Sequence, residues 1–188
     1  MNIVIFGPPG AGKGTQSKFI AEKFNMYQLS TGEFLRREMS KNSPIGNKIS
    51  SVINSGSLVS DDIVSNMIEK VISDSKFKNR IIFDGYPRNL NQAKNLDELL
   101  IKYEQKIDIV LKLSVSLSTI KKRISERQSL EKRSDDNEHT AIKRFETYEN
   151  STEPVIEYYK KLNLLKVVDG ERAIEQISSE ISDIIASI

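Results

Sequence analysis

The sequence predicts an α/β fold, a parallel sheet with helices on both faces. Two observations predict it. Five short apolar runs, Ile3 to Phe6, Met26 to Leu29, Ile81 to Asp84, Ile109 to Leu113 and Leu164 to Val168, alternate with longer stretches of helical pattern. Strands that alternate with helices form parallel sheets, and such sheets bind ligands beyond the carboxyl ends of their strands. The first run, moreover, ends at a glycine-rich turn that leads directly into a helical stretch.

That turn reads Gly7-Pro-Pro-Gly10-Ala-Gly12-Lys13-Gly14-Thr15. The buried strand Ile3 to Phe6 precedes it, and Gln16 to Phe24 follows, with apolar residues 19, 20 and 24 at helical spacing. Strand, glycine loop and helix are the context of a P-loop. Its backbone N–H groups cradle phosphate oxygens, the helix N-terminus adds its positive dipole end, and the lysine reaches the β/γ-phosphates. The pattern departs from the strict motif at one place. Gly14 stands between Lys13 and the hydroxyl of Thr15, which makes a direct bond from that hydroxyl to a metal less secure.

Composition narrows the class. The chain has 188 residues, enough for one domain with a sizeable core. Its net charge is +2 with 29% charged residues, so no broad basic field marks a nucleic-acid binder. Cysteine is absent, which excludes disulfides and thiolate zinc sites and is consistent with a reducing compartment. No apolar run approaches a membrane span, and Met1 to Phe6 is too short and lacks the basic start of a signal peptide. A soluble cytoplasmic protein is expected, without nucleic-acid or membrane partners.

The rule about strand ends then directs attention along the chain. After the second run, Ser30 to Arg37 opens a helical stretch ending near Asn42, and Pro44 starts another that ends near Asn54. Ser60, with Asp61 and Asp62, reads as the N-terminal cap of a third helix running to about Ser73. Residues 30–59 thus form a helical excursion between two strands and a candidate mobile flap. Asp84, ending the third run, reads as a Walker-B-type acid that organises Mg²⁺ directly or through water, or else as a simple helix cap or turn former. Arg88 would point into the same cleft. Leu117 to Arg127 reads as a helix carrying Arg123 and Arg127 on one face at i, i+4. Arg133 and Arg144 follow, and any one of these arginines on its own is as compatible with a solvated surface. His139 is expected near the solvent face of a first helical turn, without chemistry.

Six motifs together resemble the nucleoside monophosphate kinases, and adenylate kinase among them. They are Gly-Pro-Pro-Gly-Ala-Gly-Lys-Gly-Thr-Gln at 7–16, Ser-Thr-Gly-Glu-Phe-Leu-Arg at 30–36, Gly-Ser-Leu-Val at 56–59, Phe-Asp-Gly-Tyr-Pro-Arg at 83–88, Arg-Ser-Asp-Asp-Asn at 133–137 and Val-Asp-Gly at 168–170. The resemblance spans nearly the whole chain. It implies a single kinase domain over 1–188 of P-loop NTPase type, with a five-stranded parallel sheet, a helical monophosphate-binding flap at 30–59 and a short lid at 127–133. Only Gln128 to Lys132 separate Arg127 from Arg133, where long-lid bacterial members insert a small β-domain, sometimes zinc-binding; no zinc is expected here.

The site residues follow from the same resemblance. Gly10, Ala11, Gly12, Lys13, Gly14 and Thr15 would hold ATP phosphates, Arg127 would contact ATP from the lid, and Arg172 would lend backbone to its adenine. Thr31, Arg36, Ser57, Leu58, Val59, Gly85, Tyr86, Pro87, Arg88 and Gln92 would form the AMP site. Arg123 would bridge the transferring phosphoryl group. Arg133 and Arg144 would reach over both substrates, oriented by Asp135 and Asp136. Mg²⁺ would come with the nucleotide and meet Asp84 and Thr15 through water. Catalysis would then rest on positioning and neutralisation by Lys13 and the arginines, whose planar forks grip two phosphate oxygens at once.

The implied activity is reversible transfer of the terminal phosphoryl group of ATP to AMP, giving two ADP, by a monomer serving purine nucleotide homeostasis. Uridylate-cytidylate kinases share most of the pattern, but Thr31 and Gln92 stand where those enzymes usually carry Ala and Asn. A kinase for a small metabolite would need only residues 7–15. A switch GTPase would need Asn-Lys-x-Asp, and the chain's Asn47-Lys48-Ile-Ser lacks the acid. A non-catalytic nucleotide-sensing module is the alternative from a different class.

Overall fold

The computed structural model describes residues 1–41, 44–131 and 138–188. The chain runs β1 (Ile3–Phe6), α1 (Lys13–Lys23), β2 (Tyr27–Ser30), α2 (Thr31–Met39), α3 (Pro44–Asn54), α4 (Asp61–Ile72), β3 (Ile81–Asp84), α5 (Leu90–Lys102), β4 (Ile109–Ser114), α6 (Leu117–Glu131), α7 (Glu138–Thr147), α8 (Glu153–Lys161), β5 (Leu165–Asp169) and α9 (Ile174–Ala186). A single wide helical turn, Tyr148–Thr152, joins α7 to α8. Among the described residues the strands form one five-stranded sheet in the order β2-β3-β1-β4-β5, all neighbours parallel. None of the described helices is long and apolar enough to cross a membrane.

Alternation along the strands sorts the core into two layers, because successive side chains of a strand point to opposite faces. Val4, Phe6, Ile81, Phe83 and Val110 pack with α4, α5 and α8 through Ile68, Leu96, Leu100 and Ile156. Ile3, Ile5, Ile82, Ile109, Leu111 and Leu113 face the opposite way, against Ile20 of α1 and Ile177, Ile181 and Ile185 of α9. Both faces of the central strands are therefore buried, which is why β1 and β3 read as unbroken apolar runs.

The predicted elements hold, with shifted edges. β2 starts at Tyr27, one residue late, because Asn25 takes a left-handed conformation and the Met26 N–H closes back onto the Ala21 carbonyl of α1. β5 starts at Leu165 for the same kind of reason, with Asn163 left-handed and the Leu164 N–H donating to Tyr159 of α8. The helix after β4 runs past Arg127 to Glu131. Ser60 does occupy the position before α4, but its hydroxyl makes no capping bond. On α1, Ile20 is buried as expected while Phe19 and Phe24 are only half-buried; the polar Gln16 and Ser17 are buried in their place. Gln16 is satisfied there by Ser178 of α9, whose hydroxyl donates to its Oε1 at 2.9 Å.

A second buried polar residue, Asn2, ties the sheet together at the end opposite the ligand-binding edge. Its Nδ2 donates to the Lys106 carbonyl at 2.9 Å, its Oδ1 accepts from the Ile81 N–H at 3.1 Å, and its own N–H donates to Asp108 at 2.7 Å. The starts of β1, β3 and β4 thus share one side chain. Asn2→Ala should lower the unfolding free energy by about 2 kcal/mol, since it strands buried backbone partners. Denaturant titration checks this, and steady-state kinetics should show kcat unchanged.

Candidate active site

Most residues able to do chemistry lie on the loops and helix starts beyond the carboxyl ends of β1, β2 and β3, and α6 and α7 add arginines. After β1 the chain turns through Gly10 and Gly12 at φ 84° and 93°, which glycine tolerates at little cost, and enters α1 at Lys13. The N–H groups of that first turn have no intrahelical acceptor, so the loop presents donors and a positive dipole end. Lys13 Nζ donates to the carbonyls of Gly7 at 2.6 Å and Pro8 at 3.0 Å. Burial pushes this ammonium down to about 7; Asp84 pulls it up, and the charges of Arg88, Arg144 and Arg127 push it down again. Lysine and arginines from three separate elements therefore share one electrostatic neighbourhood.

Asp84 ends β3 in register with Ser30 of β2. It is buried, its Oδ2 accepts from Gln28 Nε2 at 3.1 Å, and the same oxygen faces Gly14, 3.8 Å from where a Cβ there would sit. A carboxylate held against the first turn of α1, with the Thr15 hydroxyl exposed on that turn, is an oxygen donor set that fits a hard divalent cation brought on phosphates. Gly85 then turns the chain at φ 81°. A side chain there would have its Cβ 2.9 Å from Thr31 Oγ1 and 3.2 Å from an Arg88 nitrogen. Glycine is what allows Thr31, which donates to the Gly85 carbonyl at 2.9 Å, and Arg88, whose Nε donates to the same carbonyl at 2.7 Å, to converge.

Two adjoining cavities share Gly56, Leu58, Gly85, Arg88 and Arg144. Gly7, Pro9, Lys13 and Pro87 line one of them, with Ile5, Phe6, Thr147, Tyr148 and Thr152. Thr31, Arg36, Ser57, Val59 and Gln92 belong to the other, with the apolar Leu35, Ile53 and Val64. Both are part apolar and share the two arginines; one adds the Lys13 ammonium beside the glycine loop, and the other adds Arg36 and the Gln92 amide.

Comparison with known proteins agrees with this geometry. A sequence profile described as adenylate kinase matches residues 5–164. The chain belongs to the adenylate kinase family. It is 40% identical over 211 aligned positions to an adenylate kinase of Pelagibacter ubique (strain HTCC1062), with 98% of this chain and 99% of that protein covered. An adenylate kinase of Xanthomonas euvesicatoria pv. vesicatoria (strain 85-10) is 41% identical over 182 positions, covering 97% of each. One from Fusobacterium nucleatum is 36% identical over 207 positions, covering 98% of each.

Not every residue suggested by the family resemblance lines the cleft. Tyr86 is turned into the core, 1% exposed, its hydroxyl donating to the Gln92 carbonyl at 3.1 Å. Arg123 lies between the phosphate loop and the loop after β5, donating to the carbonyls of Ala11 at 3.4 Å and Gly170 at 2.9 Å. The Arg172 guanidinium is taken up by Asp169 and Glu180, so any contact with a nucleotide falls to its backbone. Arg133, Asp135 and Asp136, and with them the end of the lid segment 127–133, lie outside the described residues. His139 is exposed in the first turn of α7.

Several polar residues that shape the site were not foreseen. Gln28, on Asp84, could have been noticed as the amide inside an otherwise apolar strand. Asp61 was read only as part of a helix start, yet its carboxylate accepts from both Asn89 and Gln92. Thr140 and Thr147 of α7 donate to the carbonyls of Asn54 and Gly56, so the carboxyl end of α3 is docked on the helix that carries Arg144. Those hydroxyls carry no sequence signal, because only the fold brings them to α3.

With its pKa near 7, Lys13 is largely neutral in the free protein at pH 8. If this lysine meets the phosphates of ATP, their oxygens restore its charge, and ATP binding between about pH 7 and the higher pKa of the complex would take up protons. Titration calorimetry at pH 8 in buffers of different ionisation enthalpy should show uptake approaching one proton, abolished in Lys13→Met. Uptake near zero in the native protein would contradict the assignment of this lysine to the phosphates.

Proposed function

We propose that this chain transfers the terminal phosphoryl group of Mg-ATP to AMP, reversibly, giving two ADP. The observation that carries the reading is the pair of adjoining cavities, with Lys13 on one side, Gln92 on the other, and Arg88 and Arg144 at their junction. In this reading the triphosphate lies along Gly10 to Thr15 with Lys13 on its β/γ oxygens, and Arg127 and Arg172 lie toward ATP. AMP occupies the side lined by Thr31, Arg36 and Gln92, its phosphate toward Arg88.

An oxygen of the AMP phosphate attacks the γ-phosphorus of ATP, and the bond from that phosphorus to the β–γ bridging oxygen breaks. The electron pair leaves with the β-phosphate of the departing ADP. The attacking oxygen is already ionised, so no general base is required. What the residues supply is alignment and charge. Arg88 and Arg144, at the junction, would hold the phosphoryl oxygens in line, and Arg123 would steady the loop through Ala11. Mg²⁺ carried on ATP supplies neutralisation of the phosphates, with Asp84 and Thr15 as the residues that would hold its waters.

The reading extends to the moving parts. Residues 30–59 would act as the monophosphate flap and 127–133 as a short lid, with Arg133 closing over both substrates and Asp135 and Asp136 orienting the arginines. The aligned positions shared with the Pelagibacter and Fusobacterium relatives, 211 and 207, exceed the 188 residues of this chain, so those relatives carry residues that it lacks. That difference supports a reduced lid. AMP is favoured over a pyrimidine monophosphate by the buried Gln92 amide beside Thr31.

A coupled assay offering Mg-ATP with AMP, CMP, UMP and GMP in turn, and with no acceptor, tests the assignment. AMP should give the highest kcat/KM and the acceptor-free rate should be small by comparison. Lys13→Ala and Arg88→Ala should each lower kcat by about 100-fold or more while leaving the unfolding midpoint near that of the native protein. Native turnover in either variant, or a preference for a pyrimidine acceptor, would overturn it.

A further inference from the structure

We propose that Asp61 is a positioning residue for base recognition, its carboxylate fixing the Gln92 amide in the one orientation that complements adenine. The inference rests on the AMP reading given above. Gln92 is 3% exposed and opens the first turn of α5. Its Nε2 donates to Asp61 Oδ1 at 2.7 Å and its Oε1 accepts from the Arg88 N–H at 2.8 Å. A carboxylate can only accept and a backbone N–H can only donate, so these two partners admit one orientation of the amide and forbid its flip.

Each end of the amide keeps one further bonding site, the second N–H on Nε2 and the second lone pair on Oε1. Adenine presents a donor at N6 next to an acceptor at N1. Oε1 therefore meets N6 and Nε2 meets N1. Hypoxanthine presents the reverse, an acceptor at position 6 and an N–H at N1, and faces a mismatch at both ends. A buried pair of this kind discriminates well only while its orientation is held, because a free amide would turn to suit either base.

Asp61 does not line the cleft. It reaches Gln92 from the first turn of α4, and Asn89 braces it from the other side, donating to its two oxygens at 3.0 and 3.3 Å. Asn89 in turn accepts from the Gln92 N–H at 2.8 Å, so the backbone and side chain of Gln92 are fixed by one closed network. Removing the acceptor at 61 would leave the Arg88 N–H, among the described residues, to oppose a flip alone.

The test compares kcat/KM for AMP and inosine monophosphate, with Mg-ATP, in the native enzyme and four variants. Asp61→Ala should lower the AMP-to-IMP ratio about tenfold, mainly through the KM for AMP, with kcat within about threefold of native. Asp61→Ser, which keeps a good helix start but is too short to meet Nε2, should behave likewise and serves if the alanine variant fails to fold. Asp61→Asn retains an acceptor and should hold the ratio within about threefold of native. Gln92→Leu should abolish the preference. A ratio that collapses in Gln92→Leu but is unchanged in Asp61→Ala and Asp61→Ser would overturn the role of Asp61 alone. An unchanged ratio in Gln92→Leu would overturn base reading by that amide and this proposal with it. An equal fall in kcat for both nucleotides on substitution of Asp61 would also overturn it, as the mark of a merely structural residue.

Discussion

The structure depends on holding like charges close together. A lysine and three arginines from separate elements share one neighbourhood, and the ammonium at its centre is pushed to about 7 by burial and by those arginines, against a single carboxylate. Such a cluster is unfavourable by itself. It can persist only on a scaffold that does not relax, and the parallel sheet supplies one. β1, β3 and β4 are buried on both faces, and their carboxyl ends set the positions of the loops to within the packing of the core. A polyphosphate entering the cleft would offer these cations further acceptors already facing the right way.

Local devices hold the loops to this scaffold. Gly85 is the junction where a bare Cα admits both Thr31 and Arg88, and its carbonyl accepts from each. Arg88 is fixed again by Thr152, whose hydroxyl donates to its carbonyl at 3.0 Å, and its N–H is taken by Gln92. The helical segment 30–59 is anchored at its start by Thr31 and toward its end by the docking of α3 on α7. The same segments that bring polar groups to the acceptor cavity are thus tied at both ends to the elements that carry the arginines. Any movement of that segment would be mechanically linked to the helix that carries Arg144.

Much of this was legible in the sequence, and for identifiable reasons. β1 and β3 are apolar throughout because they are buried throughout, and the glycine loop announces a strand-to-helix turn whatever the rest of the chain does. Thr31, Arg36 and Gln92 line one cavity and Arg88 and Arg144 line both, residues to which the family resemblance pointed and which composition could not have supplied. The edges of β2 and β5 moved by one residue because left-handed asparagines at 25 and 163 and closing helix bonds decide where a strand begins, and those are contacts rather than patterns. Asn2, and the part that Asp61 plays on Gln92, escaped attention for a related reason. A lone polar side chain looks like any surface residue until the fold shows what it satisfies.

The claim that this clustered set of cations takes up a polyanion can be measured without nucleotide chemistry. The melting temperature of the native protein should rise saturably with inorganic tripolyphosphate, because a ligand that binds only the folded state stabilises it by mass action. The rise should shrink as ionic strength increases. In the double variant Lys13→Met, Arg88→Met the response to tripolyphosphate, measured against that variant's own melting temperature, should nearly vanish. A native protein that tripolyphosphate does not stabilise, or a double variant that responds as strongly as the native one, would contradict the account.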